Sequence, residues 1–180
     1  TGIDLAQFSR WYDQVGTPRV TANGRYNAQD KTYTLTLSQV STKLPGHPSP
    51  QPLHIPVQTA LLHDDGKPML SRLASDGDTT HQHLLELTET QQDFVFSEVT
   101  SAPISSLLRE FSAPVILDYP LDASALSLLM CHDSDPYCRW DAGQRLARLE
   151  ILGTLNVLAT SGEPLVSESF LRAFSQVLDL

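Results

Sequence analysis

Hydrophobic and polar positions change period twice along this 180-residue chain. In the first stretch Leu5, Phe8, Trp11, Tyr12 and Val15 recur at helical spacing, which predicts a helix of about three turns. Asp4 is placed to cap it, with Gln7 three residues on as in a capping box. Gly16 can end it in the left-handed conformation, and Pro18 forbids continuation. So short a helix is unstable alone and must pack on something.

From Pro18 to about Tyr119 the period is two. Thr32 to Gln39 alternates Tyr33, Leu35 and Leu37 with threonines and a serine, the pattern of a half-buried strand. Arg19 to Ala22 is a short strand ahead of it, and Asn23-Gly24 to Asp30 is the expected connection. Leu53 to Leu62 alternates again, although Pro56 demotes it to an edge strand or a bulge. Further strands are expected near Met69 to Leu73, Leu84 to Thr88, Phe94 to Val99 and Pro114 to Tyr119. Turns are expected at Asp64-Asp65-Gly66-Lys67 and at Ser75 to Thr80. Leu107 to Phe111 fits either a strand or a short helical turn. Ser41 to Pro52 carries prolines at 45, 48, 50 and 52 and reads as an extended surface loop. About seven short strands without long crossover helices predict an immunoglobulin-like β-sandwich rather than a parallel α/β sheet.

After Pro120 the period returns to 3.6. Leu121 to His132 is helical, with Asp122 as cap. Asp135 caps a second helix that opens on Pro136 and carries Trp140, Leu146, Leu149, Leu152, Leu155 and Leu158. Gly162 and Pro164 break it, and Ser167 starts a third helix with Phe170, Leu171, Phe174, Val177 and Leu178. The chain is therefore mostly β, flanked by helices.

Charge and composition narrow the function. Twelve basic against 21 acidic side chains leave a net charge of −9, and the pI near 4.9 argues against a nucleic-acid partner. No apolar run reaches the roughly 18 residues that span a membrane, and the N-terminus lacks the pattern of a signal peptide. Two cysteines, Cys131 and Cys138, are too few for a disulfide framework and fit a reducing, cytoplasmic home. Thr1 in place of an initiating methionine and the apolar end at Leu180 read as an excised fragment.

Candidate chemistry is sparse. None of the six histidines, at 47, 54, 63, 81, 83 and 132, is followed by the glutamate of a His-Glu-x-x-His motif. His81 and His83 could offer two metal ligands from one strand face, or lie solvated beside a turn. Cys131, His132 and Cys138 could form a zinc site, or a helix–helix turn with a free thiol on each side. Asp64-Asp65 and Asp76/Asp78 suit turn chemistry better than calcium. Glu86, Glu89 and Asp93 are expected on a solvated edge, and Trp11 and Trp140 as interface or core anchors. No phosphate-binding glycine loop or Gly-x-Ser-x-Gly elbow occurs. No catalytic, cofactor-binding or metal residue is assigned.

Four ordered segments nevertheless resemble one family. Phe8-Ser9-Arg10-Trp11-Tyr12-Asp13-Gln14-Val15-Gly16-Thr17-Pro18 looks like the junction at which zinc aminopeptidases of the aminopeptidase N family leave the catalytic domain for a β-sandwich. Gln51-Pro52-Leu53-His54-Ile55-Pro56, Leu108-Arg109-Glu110-Phe111-Ser112-Ala113-Pro114-Val115 and Arg139-Trp140-Asp141-Ala142-Gly143-Gln144 resemble its bacterial alanyl aminopeptidase branch. Lys43 to Ser49 matches no segment of it.

The resemblance implies a fragment from the middle of a longer enzyme. Residues 1–16 would be the last helix of the catalytic domain, 17–120 the sandwich, and 121–180 the first helices of an α-superhelical domain. The family's zinc ligands, glutamate base and Gly-Ala-Met-Glu-Asn loop would precede Thr1, so zinc would belong to the parent and no cofactor to this fragment. The implied partners are the rest of the parent chain and, for the parent, peptide substrates. The expected role is an inactive interdomain spacer in an enzyme that releases N-terminal amino acids. Two other readings stand beside it: a peptide- or partner-binding sandwich using the Pro45 to Pro52 loop, and a small enzyme using Cys131, His132 and Cys138. A fragment would also leave apolar helix faces uncovered and self-associate.

Overall fold

The computed structural model describes all residues except 1, 3, 47, 76, 162–165, 179 and 180, and except the side chains of residues 160 and 161. A short helix α1 (Ala6–Asp13) precedes strands β1 (Arg19–Asn27), β2 (Thr32–Val40), β3 (Ile55–Leu62), β4 (Ser71–Leu73), β5 (Thr79–Thr80), β6 (His83–Leu87), β7 (Gln91–Ser97), β8 (Ile104–Leu107) and β9 (Ile116–Asp118). Helices α2 (Ala123–His132), α3 (Pro136–Ser161) and α4 (Glu168–Leu178) complete the chain. The described strands form a six-stranded sheet, β5-β4-β7-β2-β1-β9, and a three-stranded sheet, β6-β3-β8. All pairings are antiparallel except β1 with β9.

Alternation along the strands makes the two sheets face each other. Tyr33, Leu35 and Leu37 of β2 point inward, as the period predicts, with Val20 and Phe96 beside them. Ile55, Val57, Leu85 and Leu87 face them from the smaller sheet, forming one buried cluster. A second cluster packs Leu126, Leu129, Met130, Leu146 and Ala173 of the helices against Leu62, the last residue of β3. The helices are thus rooted in the sandwich by the same strand that forms its core.

Several boundaries differ from the sequence reading. Asn23-Gly24 lies inside β1, opposite Thr36 and Leu35, and not in a turn. The Tyr33 ring lies across Gly24 so closely that a Cβ there would overlap its hydroxyl, so this glycine supplies space rather than a reversal. The reversal comes at 28–31, where Asn27 Oδ1 accepts the N–H groups of Gln29 and Asp30. Pro56 sits in the middle strand of its sheet, contrary to the edge or bulge expected. It pairs with Glu86 of β6, while β8 covers only Thr59 to Leu62 on the other side. The Gln58 N–H, of the same parity as Pro56, turns away from β6 to Ser112 Oγ at 3.0 Å, so the donor that proline lacks falls on the uncovered side. The strand Ile104–Leu107 escaped the pattern because Ser105 and Ser106 are buried in it.

The caps divide by locality. Asp122 accepts the Ala125 N–H and Asp135 the Cys138 N–H, as expected, and Ser167 accepts the Phe170 N–H ahead of α4. At α1 the expected capping box is absent. Leu5 occupies the N-cap position without a side-chain bond, Asp4 accepts the Ala6 N–H, and Gln7 points elsewhere. The α3 break expected at Gly162 and Pro164 lies outside the described residues.

Gly24→Ala should lower stability by about 2 kcal/mol or more, because Tyr33 must leave its place between the sheets. Gly153→Ala, in open space on α3, should raise it by about 0.5–1 kcal/mol. Urea denaturation midpoints of the two variants check both signs.

Candidate functional site: the two joints of the sandwich

Apart from the Tyr33–Ser105 and Ser71–His83 bonds and Thr59 inside the sandwich, the buried and directed polar chemistry of this chain gathers where helices meet the sandwich. At the first joint α1 lays Gln7, Arg10 and Trp11, which share one helical face, against residues 51–54, joined by Gln14 just past its end. That segment needs them: prolines at 50 and 52 have no N–H, and the carbonyls between them have no strand partner. Gln7 Nε2 donates to Thr88 O (2.7 Å) and Pro52 O (3.3 Å), and Arg10 Nη1 also reaches Pro52 O. Trp11 Nε1 donates to His54 O at 2.9 Å.

Two glutamine amides complete the arrangement by imitating a neighbouring strand. Gln14 donates to Gln51 O (2.9 Å) and accepts from Gln51 N (2.8 Å). Gln39, 4% exposed, donates to Leu53 O and accepts from Leu53 N, both at 2.8 Å. The distal half of the proline-rich loop is therefore anchored through its backbone. Leu5, Phe8, Tyr12 and Val15, the apolar stripe of α1, stay exposed, while Trp11 packs on the core.

The second joint is centred on Arg109. After β8 the chain turns sharply through Leu108 (φ 59°), Glu110 (φ 58°) and Phe111 (φ 52°), a left-handed run that costs energy at each non-glycine residue. The turn directs Arg109, 3% exposed, at the corner between α2 and α3. Arg109 Nη1 donates to Asp133 Oδ1 (2.6 Å) and Ser106 Oγ (2.9 Å), and Nη2 to Ser134 Oγ (2.7 Å). Asp133 Oδ1 also accepts the Asp135 N–H at 2.9 Å. Asp135 spans the joint, accepting the Cys138 N–H of α3 on Oδ1 (2.8 Å) and the Glu110 N–H of the turn on Oδ2 (2.9 Å). Burial would raise the Asp135 carboxyl, but the Cys138 and Glu110 N–H groups and nearby Arg109 outweigh it and hold it below its usual range.

The two thiols are bound into the packing. Cys138 Sγ donates to Leu107 O of β8 (3.3 Å), and Cys131 Sγ to Ala173 O of α4 (3.5 Å). Burial pushes both thiols up, away from the thiolate a metal or an attack would need. His132 turns to Gln176. Cys131, His132 and Cys138 thus face different partners, and no group of three or more His, Cys, Asp or Glu among the described residues could hold a metal ion. His81 is exposed, whereas His83 is buried with its Nε2 3.0 Å from Ser71 Oγ, so the pair does not share a face.

The remaining candidates take structural places. Asp65 accepts the Lys67 N–H and pairs with Lys67 Nζ, as turn chemistry predicts. Asp76 lies outside the described residues. Glu86 pairs with His54 from the outer strand β6, Glu89 is exposed, and exposed Asp93 stands on β7 where β4, which pairs only with Phe96 and Ser97, does not reach, and accepts from Thr36 Oγ1. Trp140 is mainly exposed beside Tyr137. The joint residues Gln7, Gln14, Gln39, Arg109 and Asp133 were missed. The available signals were Gln7, Arg10 and Gln14 at i, i+3 and i+7 beside the apolar stripe of the first helix, and an arginine following apolar and serine positions.

An immunoglobulin-like sandwich continued by repeat-type helices is the class this architecture defines. Residues 16–120 match DUF3458, described as a domain of unknown function with an Ig-like fold, and residues 123–180 match its companion DUF3458_C, described as ARM repeats. The chain is 40% identical over 166 residues to aminopeptidase N of Escherichia coli, covering 92% of this chain and 18% of that protein. It is 36% identical over 178 residues to aminopeptidase N of Haemophilus influenzae, covering 98% and 20%. The crystal structure of Legionella pneumophila aminopeptidase A in complex with aspartic acid matches 99% of this chain and 18% of its own, with a TM-score of 0.76 at 26% identity. The chain belongs to the DUF3458 family and corresponds to the Ig-like and helical-repeat portion of a bacterial aminopeptidase N. It spans about a fifth of the length of these relatives.

Arg109→Met should cost about 3–5 kcal/mol, since Asp133 is left buried without its cation, and Arg109→Met combined with Asp133→Asn should recover part of that loss. Denaturant titration of the three proteins measures both. The depressed Asp135 carboxyl supplies stability that is complete above its ordinary value of 3.8 and is lost as pH falls through its lower folded value. Asp135→Asn should therefore lower stability near pH ~6 and flatten the decline as pH falls below 3.8.

Proposed function

We propose that this chain is the non-catalytic interdomain portion of a zinc-dependent aminopeptidase that releases N-terminal amino acids from peptides in the bacterial cytoplasm. Residues 1–16 close the catalytic domain, 17–120 form the sandwich, and 121–180 begin the helical domain. The observation that carries this reading is the concentration of directed polar bonds at the two joints, half-buried at the first and buried at the second. Gln7, Arg10, Trp11 and Gln14 tie α1 to residues 51–54 and Thr88, Gln39 ties that segment to β2, and Arg109, Asp133 and Asp135 fix the angle of α2 and α3. A spacer made this way transmits position, and a displacement of about 1 Å at an active site can cost on the order of a hundredfold in rate.

Zinc, in this reading, belongs to residues of the parent outside this chain. Bound there, it would supply Lewis-acid chemistry to the scissile carbonyl and to a water. The thiols and His132 do not fit it, being directed at Leu107 O, Ala173 O and Gln176.

The purified 180-residue chain should contain substoichiometric zinc and show no turnover of alanyl p-nitroanilide above a blank. In the full-length parent, Arg109→Met should leave zinc content unchanged while lowering kcat. Stoichiometric zinc with turnover in the 180-residue chain overturns the proposal.

A further inference from the structure

A groove of about 750 Å³ runs between the sandwich and α3. One wall is β9, the last strand of the six-stranded sheet. Its Ile116 N–H is bonded inward to Pro18 O (2.9 Å), and it pairs with β1 in parallel. By the alternation of backbone groups, the Leu117 N–H and C=O face away from β1, along an edge with no strand beside it among the described residues. The facing wall is one side of α3, with Arg145, Arg148, Leu149 and Leu152 at helical spacing. Leu149, Leu152 and Ile116 of this groove are 47%, 48% and 45% exposed.

The charge of the groove runs against that of the chain. The chain carries −9 overall, yet three arginines, Arg19, Arg145 and Arg148, line the groove against two aspartates, Asp118 and Asp141. Arg145 is engaged with Asp141 and with Tyr119 O. Arg19 and Arg148 are exposed and form no ion pair among the described residues. An open strand edge, an apolar strip and two uncommitted guanidinium groups suit an extended peptide whose carboxylates alternate with apolar side chains.

We propose that this groove docks an extended, carboxylate-bearing segment of the remaining parent chain, added as a strand along β9. This rests on the aminopeptidase reading, since about four fifths of the relatives' length lies outside this chain. The docked segment would hold the sandwich and α3 from outside while the Arg109 joint holds them from within.

The probe is a fluorescein-labelled peptide alternating valine and glutamate, read by anisotropy. The 180-residue chain should bind it. Binding should weaken about tenfold or more when lysine replaces glutamate, or when the chain carries Arg19→Glu with Arg148→Glu. It should be lost when the peptide's valine amides are methylated. The full-length parent should not bind the probe, its own segment already occupying the groove. No binding to the 180-residue chain, or binding indifferent to charge and to methylation, overturns the proposal. Equal binding by the full-length parent overturns the source and points to a partner in trans. A concentration-dependent dimer abolished by Arg148→Glu points to a second copy instead. Failure of the aminopeptidase reading is told separately, by the zinc content and turnover of the same chain.

Discussion

The Arg109–Asp133 pair sits where two hydrophobic clusters meet, and most of what surrounds it exists to make it tolerable. A guanidinium and a carboxylate taken out of water lose several kcal/mol of hydration each, which their mutual attraction offsets only with ideal geometry and with the remaining donors satisfied. Here Ser106 and Ser134 take further Arg109 donors and the Asp135 N–H adds to Asp133 Oδ1, while Asp133 Oδ2 stays buried without a partner. The left-handed run at Leu108, Glu110 and Phe111 is the backbone cost of bringing the arginine there. Hydrophobic packing alone would join sandwich to helices, but it is non-directional. The ion pair adds direction, because a fork-shaped cation satisfies its partners in few orientations.

The first joint solves a different problem with neutral chemistry. A segment interrupted by prolines cannot join a sheet, yet residues 51–54 lie against the core and must satisfy their carbonyls. Side chains from α1 and β2 take the place of a strand. In consequence α1 is held by polar contacts, and its apolar stripe is left facing outward. An outward stripe on a helix that the sandwich holds by its polar face suits an element with a second neighbour, the place the aminopeptidase reading gives it.

What could be seen in the sequence was the part decided by near neighbours. The alternation from Tyr33 to Leu37 and the caps at Asp122 and Asp135 involve residues a few positions apart, and the structure has them as expected. The immunoglobulin-like sandwich with flanking helices followed from these. The misreadings were decided at a distance. Gly24 looked like a turn because the Tyr33 ring that needs its space lies on another strand. Gln7 looked like a cap because Thr88 is 81 residues away. Arg109 gave no local sign of Asp133, 24 residues on, and buried Ser105 and Ser106 concealed a strand. The joints were therefore invisible as sites, while the family resemblance was carried by segments that contain several of their residues, among them Arg10, Trp11, Gln14 and Arg109.

The strand-mimicking glutamines also set how this protein ages. An amide serves both N–H and C=O of its partner only while it keeps its nitrogen. Hydrolysis of the Gln39 amide to a carboxylate would place a second acceptor against the Leu53 carbonyl in a site closed to water, and no rotation of the side chain could relieve it. The half-buried Gln14, at the rim of the joint, could turn to solvent after the same change. Chemical damage is thus graded by burial at two otherwise equivalent clasps, and the inner one, slow to be reached, is the one whose loss would free the proline-rich loop from the sheet.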